Sequence, residues 1–219
     1  MPPNTTVLFQ GDSITEAGRD HTRDNNLGTG YAMMVANYFA TEFAEKKVRF
    51  LNRGVAADKI RDLKNRWQKD CIDLEPDIVS ILVGINDVVG GHFWKSPTST
   101  KSFEEDYRAI LEQTQDVSKA KIVLVNPFMV FMTKQQVIYK IILNQKIDVV
   151  KKLSEEFKTL LVPLDKIFDE ATRGKKPTYY SEDGIHPTTT GHSLIAESWI
   201  KSVNGRFNAP VNSPADAVE

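Results

Sequence analysis

A hydroxyl, an imidazole and a carboxylate can together open an ester, and this chain carries one of each at positions that suit the combination. The hydroxyl is that of Ser13, within Gly11-Asp12-Ser13-Ile14-Thr15, shortly after the apolar run Val7-Leu8-Phe9. The other two groups share a loop near the C-terminus, Asp183-Gly184-Ile185-His186-Pro187. With two residues between them, Asp183 and His186 can meet on one side of a tight turn. The carboxylate can then accept from one ring nitrogen while the other nitrogen faces Ser13. Ester hydrolysis also needs donors for the developing oxyanion. Three candidates are the backbone N–H of Ser13, the N–H of Gly54, and the side-chain amide of Asn86 in Gly84-Ile85-Asn86-Asp87. Gly54 qualifies because a residue without Cβ lets its N–H approach a ligand closely. Each of these residues also has a plainer use. Asp12 or Ser13 could cap a helical turn, His186 could be a solvated histidine ahead of a helix, and Gly54 and Asn86 could be turn residues.

The elements that would position them follow from hydrophobic periodicity. Val7-Leu8-Phe9 reads as a short buried strand. Gly28 and Gly30 open an apolar-periodic helix over Tyr31–Ala44, with Met34, Val35, Tyr38 and Phe39 on one face. Val48–Leu51 is a second strand. A helix from Asp58 carries the stripe Ile60, Leu63, Trp67, Cys71 and ends by Pro76. Asp77–Val83 is apolar and β-branched enough for a central strand. Then come a helix over Phe103–Val117, a strand over Ile122–Val125, a long helix over Lys134–Phe157, and a fifth strand, Leu160–Val162. A short amphipathic helix, Asp165–Arg173, and a last helix, Thr189–Val203, complete the pattern. Strands alternating with helices argue a parallel sheet with helices on both faces. In a sheet of order 2-1-3-4-5, strands one and three flank the switch point, so Ser13 and Asn86 would face one crevice.

Composition narrows the classes of function. Hydrophobic residues make up 41% and charged residues 26% of the 219 residues, ordinary for a soluble globular chain. A formal net charge of −1 gives no global field for nucleic acid or an anionic membrane. Cys71 is the only cysteine, which excludes an internal disulfide and a cysteine-based metal cluster. The start, Met1-Pro2-Pro3-Asn4-Thr5-Thr6, lacks the basic and apolar regions of a signal peptide. No apolar run reaches the length of a membrane span. A cytoplasmic protein is expected, with residues 1–205 as one domain and 206–219 as a tail containing Pro210 and Pro214.

Gly-Asp-Ser near the start, glycine after strand two, Gly-Ile-Asn-Asp after strand three, and Asp-x-x-His near the end resemble the SGNH/GDSL hydrolase family. The blocks stand in the family's order, and the resemblance covers roughly Val7 to Val203. It implies a flavodoxin-like three-layer α/β/α fold and an esterase or lipase without metal or organic cofactor. It also implies Ser13 as nucleophile, His186 as base, Asp183 as its orienter, and Ser13 N–H, Gly54 N–H and Asn86 as oxyanion hole. Gly11–Arg19, Leu27–Tyr31 and Arg61–Trp67 look closest to bacterial acetylxylan esterase-like members, which deacetylate xylo-oligosaccharides. One departure is Val55-Ala56-Ala57-Asp58, where such enzymes often carry a Ser-Gly-Asn type turn.

The expected activity is therefore hydrolysis of small acyl, chiefly acetyl, esters, with an acetylated oligosaccharide as candidate substrate. Trp94, Phe128 and Tyr180 lie in loops that should surround the crevice and are candidates for substrate binding. The apolar loop Phe128–Met132 could instead line the long channel of a lysophospholipase or thioesterase. A non-catalytic carbohydrate-binding relative is a further alternative. A nucleotide binder fits less well, since no phosphate-cradling glycine loop follows strand one. Val137, Ile141, Ile147 and Val150 add apolar surface to the long helix beyond its main stripe and point to a homo-oligomer.

Overall fold

Strand β1 (Thr6–Gly11) is buried along its whole length, as expected for a strand with a neighbour on each side and helices on both faces. It pairs in parallel with β2 (Arg49–Asn52) and β3 (Ile78–Leu82). Beyond β3 lie β4 (Lys121–Val125) and β5 (Leu160–Val162), giving the order β2-β1-β3-β4-β5. The structure, a computed structural model, describes residues 1–89 and 97–207, with side chains through Gly205. Gly11 registers with Leu82, Leu82 with Val125 and Val125 with Val162, so the carboxyl ends of four strands form one rim.

The period-two alternation of β1 splits the core into two layers. Val7 and Phe9 face a cluster that includes Tyr31, Val35 and Phe39 of α2 (Tyr31–Glu42) and Trp199 and Val203 of α8 (Thr189–Phe207). Leu8 faces the other layer, built by α3 (Ile60–Asp70), α5 (Thr100–Val117) and α6 (Val137–Glu156) through Trp67, Tyr107, Leu111 and Leu153. The two largest buried side chains among the described residues each satisfy their indole N–H. Trp67 donates to Thr114 Oγ1 at 3.0 Å and Trp199 to Ser80 Oγ at 3.0 Å, which makes each a core contact.

Among the described residues three shorter α-helices remain, and two of them are single turns that periodicity cannot detect. These two are α1 (Ser13–Glu16) and α4 (Asn86–Val89), and α7 (Leu164–Ala171) is the third. The helix expected from Asp58 starts at Ile60, because the Asp58 N–H closes a turn onto the Val55 carbonyl at 3.2 Å. The helix expected from Lys134 begins as a 3₁₀ turn, Lys134–Gln136, and becomes α-helical at Val137. The last helix runs past Val203 to Phe207. Of the surplus apolar residues on α6, Val137 and Ile141 are exposed along with Ile138, whereas Ile147 and Val150 are buried. Among the described residues no helix is long and apolar enough to cross a membrane.

Candidate active site

The turn after β1 puts Ser13 at the first position of α1. Asp12 caps that helix, its carboxylate accepting the Ile14 N–H at 3.0 Å, so capping and site formation are one arrangement. Three further elements hold the turn. Thr15 Oγ1 meets the Tyr31 hydroxyl at 2.9 Å. The Asn52 amide donates to the Thr15 carbonyl at 2.7 Å and to the Leu27 carbonyl at 3.0 Å. Gly54 lies against the same backbone, where a Cβ would sit 2.4 Å from the Glu16 nitrogen.

Across the crevice, a narrow loop presents the Asp183 carboxylate and the His186 imidazole. An isolated antiparallel bridge between Ser181 and Pro187 closes its base. Asp183 Oδ1 accepts the N–H groups of Ile185 and His186, each at 2.8 Å, the local folding pattern of an Asx turn. Asp183 Oδ2 then lies 2.6 Å from His186 Nδ1. The opposite nitrogen, Nε2, lies 3.1 Å from Ser13 Oγ. Partial burial raises the Asp183 pKa, but the bonds from the His186 ring and from the His186 and Ile185 N–H groups outweigh it and hold the carboxyl below its ordinary range. An ionised Asp183 favours the proton on Nδ1, leaving Nε2 free to accept from Ser13.

Gly184 shows how the loop is seated. It takes φ +90°, and a Cβ would come 2.6 Å from the Val130 carbonyl and 2.7 Å from Gln136 Nε2. Its own carbonyl accepts the Val130 N–H at 2.8 Å, and Gln136 donates to the Asp183 carbonyl at 3.3 Å. The segment after β4 is thus the platform for the Asp183–His186 loop.

Asn86 opens α4 at the end of β3 and is nearly buried. One hydrogen of its amide goes to the Asp58 carbonyl at 3.1 Å, which leaves the other available. The Ser13 N–H has no partner among the described residues. Gly54 differs from the expectation: its N–H donates to Asn52 Oδ1 at 2.8 Å and is committed to the fold. Three residues on, Ala57 adopts φ +66°, a left-handed conformation that favours glycine, and its N–H has no partner among the described residues.

Two carboxyls beneath the site are buried. Burial, reinforced by Asp87 and Asp58, pushes the Asp12 pKa up to about 7 against the pull of the Ile14 N–H and His186. Burial also raises Asp87 to about 6, although its carboxylate accepts the Ile60 N–H at 3.1 Å, at the start of α3. Each keeps one oxygen without a partner, Asp12 Oδ2 and Asp87 Oδ1.

The aromatic candidates divide. Phe128 is 1% exposed and stacks on Phe168 with ring centroids 4.0 Å apart. Tyr180 is also buried, edge-on to Phe168, with its hydroxyl accepting from Lys175 at 3.0 Å. Both belong to the core under the rim, which corrects the expectation that they face substrate. Trp94 lies outside the described residues. The residues that sequence reasoning missed are Asn52, Gln136 and Ser181. Asn52 carried a weak signal, standing between a strand and Gly54.

A family model described as GDSL-like lipase/acylhydrolase matches residues 9–194, nearly the whole span that carries this geometry. The chain belongs to that family. It is a carboxylic ester hydrolase of the serine esterase type. An acetylxylan esterase of Geobacillus stearothermophilus is 32% identical over 205 residues, covering 90% of this chain and 93% of the relative. The crystal structure of Axe2, an acetylxylan esterase from that organism, superposes with a TM-score of 0.84 at 30% identity, over 92% of this chain and 95% of that one. LAE5, an α/β hydrolase enzyme from the metagenome of Lake Arreo, gives a TM-score of 0.85 at 25% identity, over 93% and 97%.

Proposed function

We propose that this esterase removes short acyl groups, chiefly acetyl, from carbohydrates, with Ser13 as nucleophile, His186 as general base and acid, and Asp183 as the orienting carboxylate. The observation that carries the reading is the continuous relay from Ser13 Oγ through both nitrogens of His186 to Asp183, at 3.1 and 2.6 Å. Solved catalytic mutants of Axe2 replace a serine, an aspartate and a histidine, the last two three positions apart as Asp183 and His186 are.

In this reading His186 Nε2 takes the Ser13 proton as Oγ attacks the ester carbonyl. The tetrahedral oxyanion accepts from the Ser13 N–H and the free hydrogen of the Asn86 amide. With Gly54 committed to Asn52, the turn after β2 contributes through the Ala57 N–H. Collapse returns the proton from His186 to the departing alcohol and leaves an acyl-enzyme on Ser13. Water, deprotonated by His186, then releases the acid and restores the serine.

Short acyl groups are favoured because Phe128, Met129 and Val130 are buried in the core, so that part of the apolar loop is not free to line a channel. A channel would raise kcat/KM about fourfold per added methylene, from about 0.8 kcal/mol each. Without one, rates should fall beyond acetyl or propionyl. The test is a series of 4-nitrophenyl esters together with acetate release from acetylated xylo-oligosaccharides. The expected order is acetate above butyrate and far above octanoate, with acetate released from the sugar. Octanoate cleaved faster than acetate would favour a lipase-like enzyme instead.

A further inference from the structure

His192, in the first turn of α8, has no part in the relay, yet its ring is fixed with unusual definition. Helix α2 begins after Gly30, which has no side chain to cap it. The Tyr31 N–H at its start instead donates to His192 Nδ1 at 3.2 Å. A ring nitrogen that accepts carries no proton, so the proton of the imidazole is on Nε2. Burial, with the nearby His186, pushes the His192 pKa down to about 4, and the positive end of α2 acts in the same direction. His192 is therefore an uncharged N–H donor throughout the neutral range.

The donor is open and close to the chemistry. Nε2 has no hydrogen-bond partner among the described residues, and His192 is only partly buried. A Cβ on Gly30 would lie 2.8 Å from His192 Cε1 and 2.5 Å from the Ala17 Cβ, and the Ala17 N–H closes the nucleophile turn onto the Ser13 carbonyl at 3.0 Å. The ring thus lies beside Gly30 and the Ala17 end of the turn that bears Ser13, within electrostatic reach of His186.

We infer that His192 is an alcohol-side binding residue, whose Nε2–H donates to a hydroxyl or ether oxygen of the ester's alcohol part. The inference rests on the carbohydrate-esterase reading and narrows it. An uncharged donor suits an uncharged sugar oxygen, whereas a phosphate-bearing alcohol would gain more from a cation. His192 then selects polyhydroxy alcohols over phospholipid headgroups.

Two substitutions separate this role from the helix cap. In His192→Asn the side-chain oxygen can still accept from Tyr31, but the amide nitrogen takes the place of Cδ2 and no donor reaches the Nε2 position. In His192→Gln a donor reaches outward while the cap is lost. Both are compared with the wild type on an acetylated xylo-oligosaccharide, on 4-nitrophenyl acetate and in thermal melts. His192→Asn should raise KM for the oligosaccharide about 5- to 10-fold, the worth of one hydrogen bond. Its kcat/KM for the aryl acetate should fall less than about threefold on the same basis. His192→Gln should melt earlier yet keep the lower oligosaccharide KM. Equal losses on both substrates in His192→Asn, or an unchanged oligosaccharide KM, would overturn the donor role while leaving the esterase reading intact. A wild-type enzyme that cleaves the aryl acetate but not the oligosaccharide would overturn the donor role together with the carbohydrate reading, while remaining an esterase.

Discussion

The two halves of the proposed catalytic relay are held in opposite ways. Ser13 rises from a turn set in the core, where Asp12 is 1% exposed and Ile14 and Thr15 are buried. His186 and Asp183 keep 58% and 51% of their side-chain surface in solvent. The nucleophile turn is fixed by buried bonds from Tyr31 and Asn52 and by the close packing of Gly54. The acid–base loop is fixed mainly by bonds within itself, with Val130 and Gln136 as its links to the body. On the proposed mechanism, the difference teaches that position is enforced where the covalent bond would form, while the imidazole that would move protons rests on a lighter support. It also separates stability from activity by region.

The largest expected effect tests that separation on the exposed side. His186→Ala should lower kcat by about 10⁴-fold or more, as for other triad members. It should leave the melting temperature within a degree or two, because little of His186 is buried; kinetics paired with calorimetry check this. A large drop in melting temperature would mean that the loop carries part of the fold.

On the buried side, Asn52→Ala leaves the Thr15 and Leu27 carbonyls and the Gly54 N–H without their partner. With a buried orphan costing about 1–3 kcal/mol, the loss should be about 3 kcal/mol or more by denaturant unfolding. Activity should fall along with it, because the Ser13 turn and the Ala57 turn both rest on this side chain. Full activity in a destabilised Asn52→Ala protein would show that the turn holds its shape without Asn52.

The smallest effect sharpens the comparison at the joint between loop and body. Gln136 accepts from the Met132 N–H at 2.7 Å and donates to the Asp183 carbonyl at 3.3 Å, both near the surface. Gln136→Ala should lower kcat by about 3- to 10-fold with about 1–2 kcal/mol of stability, because water can replace its near-surface bonds in part. A change in KM alone would place Gln136 in substrate binding instead.

The sheet order is legible in the sequence because each strand contains a distinct short apolar run separated from the next by a periodic helix. The hydrogen-bonded relay is legible because Ser13 follows a strand end and Asp183 and His186 stand in a turn whose spacing has a geometric meaning. What escapes is whatever depends on a bond between distant segments. Gly54 has the composition of an oxyanion donor, but the Asn52 amide two residues earlier already engages its N–H. Phe128 and Tyr180 sit in loops by sequence, yet both turn inward to meet Phe168. The single-turn helices α1 and α4 are too short for any period to register. His192 reads as an ordinary helix residue until Tyr31, 161 positions earlier, is found at its Nδ1.

The central claim is that Ser13 is the atom that becomes acylated. Its most direct test is intact-mass and peptide analysis after brief reaction with a 4-nitrophenyl phosphonate, which phosphonylates an activated serine irreversibly. The account expects one adduct per chain, confined to the peptide containing Ser13 and formed far more slowly in His186→Ala. An adduct on another residue, or labelling of Ser13 at an equal rate without His186, would contradict it.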